Sequence, residues 1–282
     1  MPRLRGQAGS GWARFALTVW VVICLVLFSF MRFPYEVLKG RIEASASQSL
    51  NRPVRVTGIK ASLPLGIRLE GLSVGGQSLP GSLILAPRFM PLLRGRLGLA
   101  FKSLQPDGSL RGFVTAPFGN RPNQPLVMGL EADNLDVGIF KGFVSPETAE
   151  LLSGRLSGRV DLAFEPGELY RGEGSFRLNF KNGNLPLAAS ELPFDSIGVK
   201  NLDFVASLSR GTLEIEQIDL SGSLTGSLSG KVRLRRELAR SRLSLEGEAI
   251  LPPGMENVLE NPVAGGKSHF SLSGTLAKPN LK

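Results

Sequence analysis

Few side chains in this chain of 282 residues could carry chemistry. There is one cysteine, Cys24, and one histidine, His269. Cys/His zinc sites, multi-cysteine iron–sulfur clusters and an intramolecular disulfide are thereby excluded. Gly265-Gly266-Lys267-Ser268 ends like a phosphate-binding loop, but that motif needs glycine where Asn261 stands. An alternating apolar run follows it, where the motif requires a helix. Gly230-Lys231 fails as well, with Thr225 in place of the first glycine and Val232 in place of Ser or Thr. Glycoside hydrolysis needs only two carboxylates, and Glu131/Asp133, Asp161/Glu165 and Glu246/Glu248 are the candidate pairs. Glu131/Asp133 and Glu246/Glu248 are spaced i, i+2, as on the wet face of any strand, and no apolar pocket accompanies them to raise one pKa. Asp133-Asn134-Leu135-Asp136 lacks the alternation and terminal glutamate of a calcium loop. His269 alternates with Ser271 and Ser273, opposite Phe270 and Leu272, as an exposed strand residue does. The expectation is a protein that is not an enzyme, with no cofactor and no metal.

The charge balance points the same way. Thirty-three basic residues against 24 acidic ones give a net charge of +9. Arg3, Arg5 and Arg14 account for three of these, ahead of an apolar run and with no acid among them. The densest basic stretch, Arg233–Arg242, holds five arginines and no aromatic residue. A nucleic-acid groove interleaves its charges with stacking rings, so nucleic acid is not expected as a partner.

From Phe15 to Met31 the chain is uncharged for seventeen residues, FALTVWVVICLVLFSFM. A spanning helix needs about 20 apolar residues, and Trp12 and Ala13 extend the run if Arg14 snorkels to the headgroups. Phe15, Trp20, Leu25, Phe28 and Phe30 are the candidate anchor residues. Ser29-Phe30-Met31-Arg32 offers no small-x-small cleavage site, so an uncleaved signal anchor is expected rather than a signal peptide. Arginines on its amino side keep that end in the cytoplasm. The chain divides into a basic tail (1–14), a transmembrane segment (15–31), a juxtamembrane helix (33–52) and a β-rich domain (54–282). The helix follows from Tyr35, Leu38, Ile42, Ala46 and Leu50, which form one apolar stripe that ends at Arg52-Pro53. Whether it lies on the bilayer or caps a sheet is left open by its sequence.

After Val54 the apolar period falls from 3.6 to 2. Leu156, Val160, Leu162 and Phe164 share one face, opposite Arg155, Ser157, Arg159 and Asp161. Phe176, Leu178 and Phe180 likewise alternate with Arg177, Asn179 and Lys181, and Asn182-Gly183 reads as a turn. Further runs recur every ten to fifteen residues, so neighbours should pair as an antiparallel meander. Only 146–152, with Ser145 as cap, and 255–260 look helical. One strand face is apolar, yet there are too few helices for a second layer over it. The sheet must curl over itself as a sandwich or barrel, or an outside apolar ligand must fill a groove. The seven apolar residues named from Leu156 to Phe180 are the candidate groove face.

Two groups of residues carry a family resemblance. Arg32-Phe33-Pro34-Tyr35, the helix ending near Leu50 and LPLGIRLEGL (Leu63–Leu72) resemble the start of type II secretion system protein N, in its deltaproteobacterial form. LLSGRLSGRVDL (Leu151–Leu162) and FSLSGTLAKPNL (Phe270–Leu281) resemble the wider AsmA-like proteins. The resemblance implies a bacterial inner-membrane anchor, a periplasmic β-groove, and an accessory scaffold role among other secretion-system proteins. The AsmA-like part implies an alternative, in which the groove binds or transfers phospholipid or another acyl lipid. A periplasm-active reporter fused after Lys282 should be active, and a mature amino terminus found near Arg32 would defeat the anchor.

Overall fold

The computed structural model describes residues 10–63, 65–105, 107–119, 124–144, 146–186, 196–250 and 267–281. Its body is one antiparallel sheet of fifteen strands. First come β1 (Val54–Ser62), β2 (Gly66–Val74), β3 (Gln77–Ser78), β4 (Ser82–Arg88) and β5 (Arg96–Gln105). Next are β6 (Gly108–Pro117), β7 (Leu126–Asp136), β8 (Ser153–Phe164), β9 (Glu173–Pro186) and β10 (Ser196–Ser209). The sheet continues with β11 (Thr212–Gly222), β12 (Thr225–Arg233), β13 (Arg242–Ile250), β14 (Lys267–Thr275) and β15 (Lys278–Leu281). Each strand pairs with its sequence neighbours, except that the short β3 pairs only with β2, which passes on to β4. β1 and β15 do not meet, so the sheet is curved and not closed.

The turn expected at Asn182-Gly183 is instead part of β9, which runs on to Pro186. Asn182 takes φ +49°, and the pairing of β8 with β9 slips between Ser153 and Arg155. The pair forms a bulge, because one residue in the left-handed region bends a strand without ending it. Asn134, at φ +47°, does the same where β7 slips against β8 between Ala132 and Leu135.

Among the described residues four α-helices accompany the sheet: α1 (Ser10–Arg32), α2 (Glu36–Leu50), α3 (Phe89–Leu92) and α4 (Pro146–Leu151). The expected helix at 146–152 is α4, whereas its proposed cap Ser145 and the expected helix at 255–260 lie outside the described residues. The helix expected over 33–52 is α2, shorter at its start because Pro34-Tyr35 precede its first turn. Asn51 ends it at φ +51°, with its N–H donating to the Ser47 carbonyl.

α2 caps the sheet. Leu38 and Ile42 pack on a cluster of Tyr35, Val56, Ile59 and Leu69. Its polar side chains also serve the free edge of β1. The Val56 N–H donates to Glu43 Oε1 at 2.7 Å and the Val54 N–H to Ser47 Oγ at 2.8 Å. Lys39 Nζ donates to the Thr57 carbonyl at 3.2 Å. An edge strand with open backbone groups invites pairing with other chains, and these three bonds occupy the first half of β1. At the far edge, β15 is short and contains Lys278 and Pro279, which serve the same end.

α1 has 23 residues, about 34 Å at 1.5 Å per residue. Phe15, Trp20, Leu25 and Phe28 are exposed along it. Phe30 differs from the anchor role expected of it. Its ring meets Tyr35 edge-on at 5.5 Å and packs on the α2–sheet cluster, so it joins the helix to the sheet. Among the described residues no helix is long and apolar enough to cross a membrane. The side chains at 23, 26, 27 and 31, within the apolar run, lie outside that description. Glu43→Ala should lower stability by about 1–3 kcal/mol, because it strands the N–H of the buried Val56. Gln48→Ala, exposed on the same helix, should leave the melting temperature unchanged in the same thermal scan.

Candidate functional site

Cross-strand pairing sets which side chains share a face. Between β8 and β9, Leu156 pairs with Phe180, Gly158 with Leu178, Val160 with Phe176 and Leu162 with Gly174. Phe164 pairs with Leu126 of β7. All seven candidate groove residues therefore lie on one face.

That face continues in both directions. One register row runs from Val160 through Leu130, Gly112, Phe101 and Leu85 to Ile67 on β2. The other way it runs from Phe176 through Ala206, Ile215, Gly230 and Leu245 to Leu272 on β14. Twelve strands thus contribute to one unbroken row without a charged or polar side chain. At about 4.8 Å per strand the row extends roughly 50 Å along the curved sheet.

Burial along the row is uneven. Ala206, Ile215, Val232, Leu243 and Leu245 form a buried cluster, with Phe176, Phe204 and Leu272 packed against it. No second layer covers these strands among the described residues, so their burial comes from the curl of the sheet, which crowds its own side chains together. Leu156, Val160, Phe164, Phe176 and Leu178 remain half-buried. Phe180 departs from the open-groove expectation. It is buried with Val137 and Val199, beneath Leu152 and the 3-10 helix Val137–Phe143. Its ring occupies the space over Gly154, at φ +132°, where a Cβ would come within 2.5 Å of it. Leu162 is buried too.

The opposite face is polar. Arg159 binds Asp161 in a two-pronged pair at 2.6 and 3.2 Å, and Arg111 Nε binds Glu131 at 3.0 Å. The side-chain bond to Arg111 holds the Glu131 carboxyl below its ordinary range, and its charge adds to the effect. A general acid needs the reverse shift, so the Glu131/Asp133 pair is poorly suited to acid catalysis. Asn179 Nδ2 donates to Asn201 Oδ1 at 2.9 Å, part of an amide network that also reaches Asp203. Glu246, Glu248 and His269 line an open recess of about 750 Å³ on this face, with His269 Nδ1 3.5 Å from Glu248. Among the described residues no group of three His, Cys, Asp or Glu side chains is placed to hold a metal ion. Lys267 and Ser268 open strand β14. Phe113 is an aromatic that alternation alone misplaces: it stands on the polar face, with the Arg88 guanidinium 4.1 Å above its ring. Gly129 opposite it makes the room, since a Cβ there would meet the ring at 2.5 Å.

The fold and this face define an open, single-layer antiparallel sheet with a continuous apolar surface. No family model matches the chain, and neither a curated protein nor a solved structure matches it.

The Glu131 shift has a sign that can be checked. A carboxyl whose pKa is lowered on folding adds stability above its unfolded pKa, and that contribution is lost as pH falls through the folded value. In Arg111→Ala, the Glu131 titration followed by carboxyl carbon NMR should move up toward the ordinary value near 4.5. A titration unmoved by that change would separate the shift from Arg111.

Proposed function

We propose that this chain is a membrane-anchored, non-enzymatic binding protein whose apolar face takes up acyl chains. The observation that carries the reading is the row from Ile67 to Leu272, apolar across twelve strands and left half-buried from Phe101 to Val160, between the end capped by α2 and the buried cluster around Ala206 and Leu245. A surface of this extent facing water favours aggregation, and an extended apolar ligand removes that cost. Covering a large apolar side chain stabilises by roughly 1.5–3 kcal/mol, and each buried CH₂ of the ligand adds about 0.8 kcal/mol. An acyl chain suits a long, one-sided row better than a compact ligand does, because the side chains along it need contact on one side only.

The anchor is α1, read as spanning the inner membrane once through the uncharged run Phe15–Met31. Arg3, Arg5 and Arg14, all ahead of that run, support an orientation with the amino end in the cytoplasm and the sheet in the periplasm. A second reading, an accessory scaffold of the type II secretion system, draws on the likeness of Arg32–Tyr35 and Leu63–Leu72 to protein N of that system. In that case apolar segments of partner proteins would cover the face. Mass spectrometry of lipid co-extracted with the purified chain supports the first reading, and co-purification of secretion components without lipid supports the second.

Leu178 gives a point test. Leu178→Arg should leave the melting temperature within a few degrees of the parent while bound lipid falls, because at a half-buried site the guanidinium can reach water. Arg177→Glu, exposed on the polar face, should change neither. Unfolding of Leu178→Arg with lipid content unaltered per folded molecule would mean that protein, not lipid, covers this position.

A further inference from the structure

A sequential meander sends alternate connections to opposite rims of its sheet. One rim carries the β1–β2, β4–β5, β6–β7, β8–β9, β10–β11, β12–β13 and β14–β15 connections, and the other carries the rest. Among the described residues the two rims differ in chemistry. At the first, large apolar side chains stand at the tips of the turns: Leu63 is 71% exposed, Met90 77% and Leu93 83%, with Phe118 and Leu238 also exposed. Phe89 in α3 adds another. At the second rim, Leu104, Phe140 and Ile250 are the exposed large apolar residues among those described, none above 43%.

The first rim also concentrates arginine. An open recess of about 1070 Å³ lies between the β8–β9, β10–β11 and β12–β13 turns. Arg210, Arg233, Arg235, Arg236 and Arg242 line it, and none forms an ion pair among the described residues. Arg171 and Arg240 line it too, each paired within its own turn, with Glu168 and Glu237. Seven guanidinium groups beside two carboxylates leave a strong local excess of positive charge. Guanidinium binds phosphate through two parallel hydrogen bonds, and apolar tips farther along the same rim match the boundary between headgroups and acyl chains.

The orientation of α2 brings this rim to the anchor. Its bonds run from Lys39 at Thr57 to Ser47 at Val54, so it lies antiparallel to β1. Its first turn, and with it the end of α1 at Arg32, is directed toward the rim that carries the β1–β2 turn. The chain leaves α1, climbs away along α2 and returns down β1.

We infer that this rim is a docking edge that rests on an anionic lipid bilayer, with the arginines on lipid phosphates and the Met90, Leu93 and Phe118 tips in the interface. The inference rests on α1 as the anchor and adds that the sheet stands upright on one rim of defined composition. An acyl chain leaving the bilayer would meet the apolar face directly above that edge.

The test uses the full chain in a Cys24→Ser background, with single cysteines at Met90→Cys, Leu238→Cys or Leu104→Cys carrying an environment-sensitive fluorophore. Each is placed in nanodiscs of brominated phosphatidylcholine, alone or mixed with phosphatidylglycerol. Labels at 90 and 238 should be quenched at least twofold more than the label at 104, and more strongly with phosphatidylglycerol. Combining Arg233→Glu, Arg235→Glu and Arg236→Glu should abolish the dependence on phosphatidylglycerol while the melting temperature holds. The contrast between positions 90 and 104 needs no charge variant, so it stands even if that variant misfolds. Equal quenching at the two rims overturns the inference, as does indifference to phosphatidylglycerol at 90 and 238. A rim made for an acidic protein would leave both labels unquenched in discs that hold no partner protein, which also overturns it. Co-elution of chain and disc reports the anchor separately. If the chain fails to enter phosphatidylcholine discs, the anchor reading falls. Docking is then decided by flotation with phosphatidylglycerol vesicles: binding lost in the triple variant upholds it, and no binding overturns it.

Discussion

A sheet whose strands pair only with their sequence neighbours leaves two backbone edges and one apolar face unsatisfied. Most features of this molecule answer that constraint. α2 gives Glu43, Ser47 and Lys39 to the open groups of β1, and β15 is short with a proline. Closure would have removed both edges at once. The open sheet uses side chains and a short strand instead, and the apolar face remains accessible along much of its length.

Curvature handles part of that face. Bulges at Asn134 and Asn182, and a further slip between Ile215 and Ile218, bend the strands without ending them. Where the bend is tight, as around Ala206 and Leu245, neighbouring strands bury each other's side chains. Where a short helix folds over the face, as at Phe180, the site is closed by protein. Between these places Val160, Phe164 and Leu178 remain half-covered. The polar face does different work. Its ion pairs are exposed, so each contributes little to stability, but together they keep that surface wet and the two faces distinct.

Much of this was legible in the sequence. Alternation located the strands after Leu151 and put Leu156–Phe164 and Phe176–Phe180 on one face, because a period of two leaves no other arrangement. The stripe from Tyr35 to Leu50 announced α2. Its docking was not legible, since the partners Val56, Ile59 and Leu69 come from strands that only the fold brings beside it. Asn182-Gly183 misled because the same left-handed preference serves hairpin turns and bulges, and pairing with β8 decides between them. β4 and β7 were obscure because Leu83-Ile84-Leu85 and Leu126-Val127-Met128 are apolar at consecutive positions. The arginines of 233–242 stood out in the sequence. Their company with Arg171 and Arg210 depends on three hairpins ending side by side.

The nearest-neighbour order of the strands makes the molecule close to one-dimensional. Each hairpin interacts mainly with the one before and the one after, so stability approximates a sum of local couplings, as in a repeat array. Inserting or deleting a hairpin lengthens or shortens the apolar row by about 10 Å and leaves distant strands undisturbed. The architecture is thus a ruler whose length is set by hairpin number. Genetic duplication of thirty or so residues, rather than redesign of a core, would be enough to change what it can span.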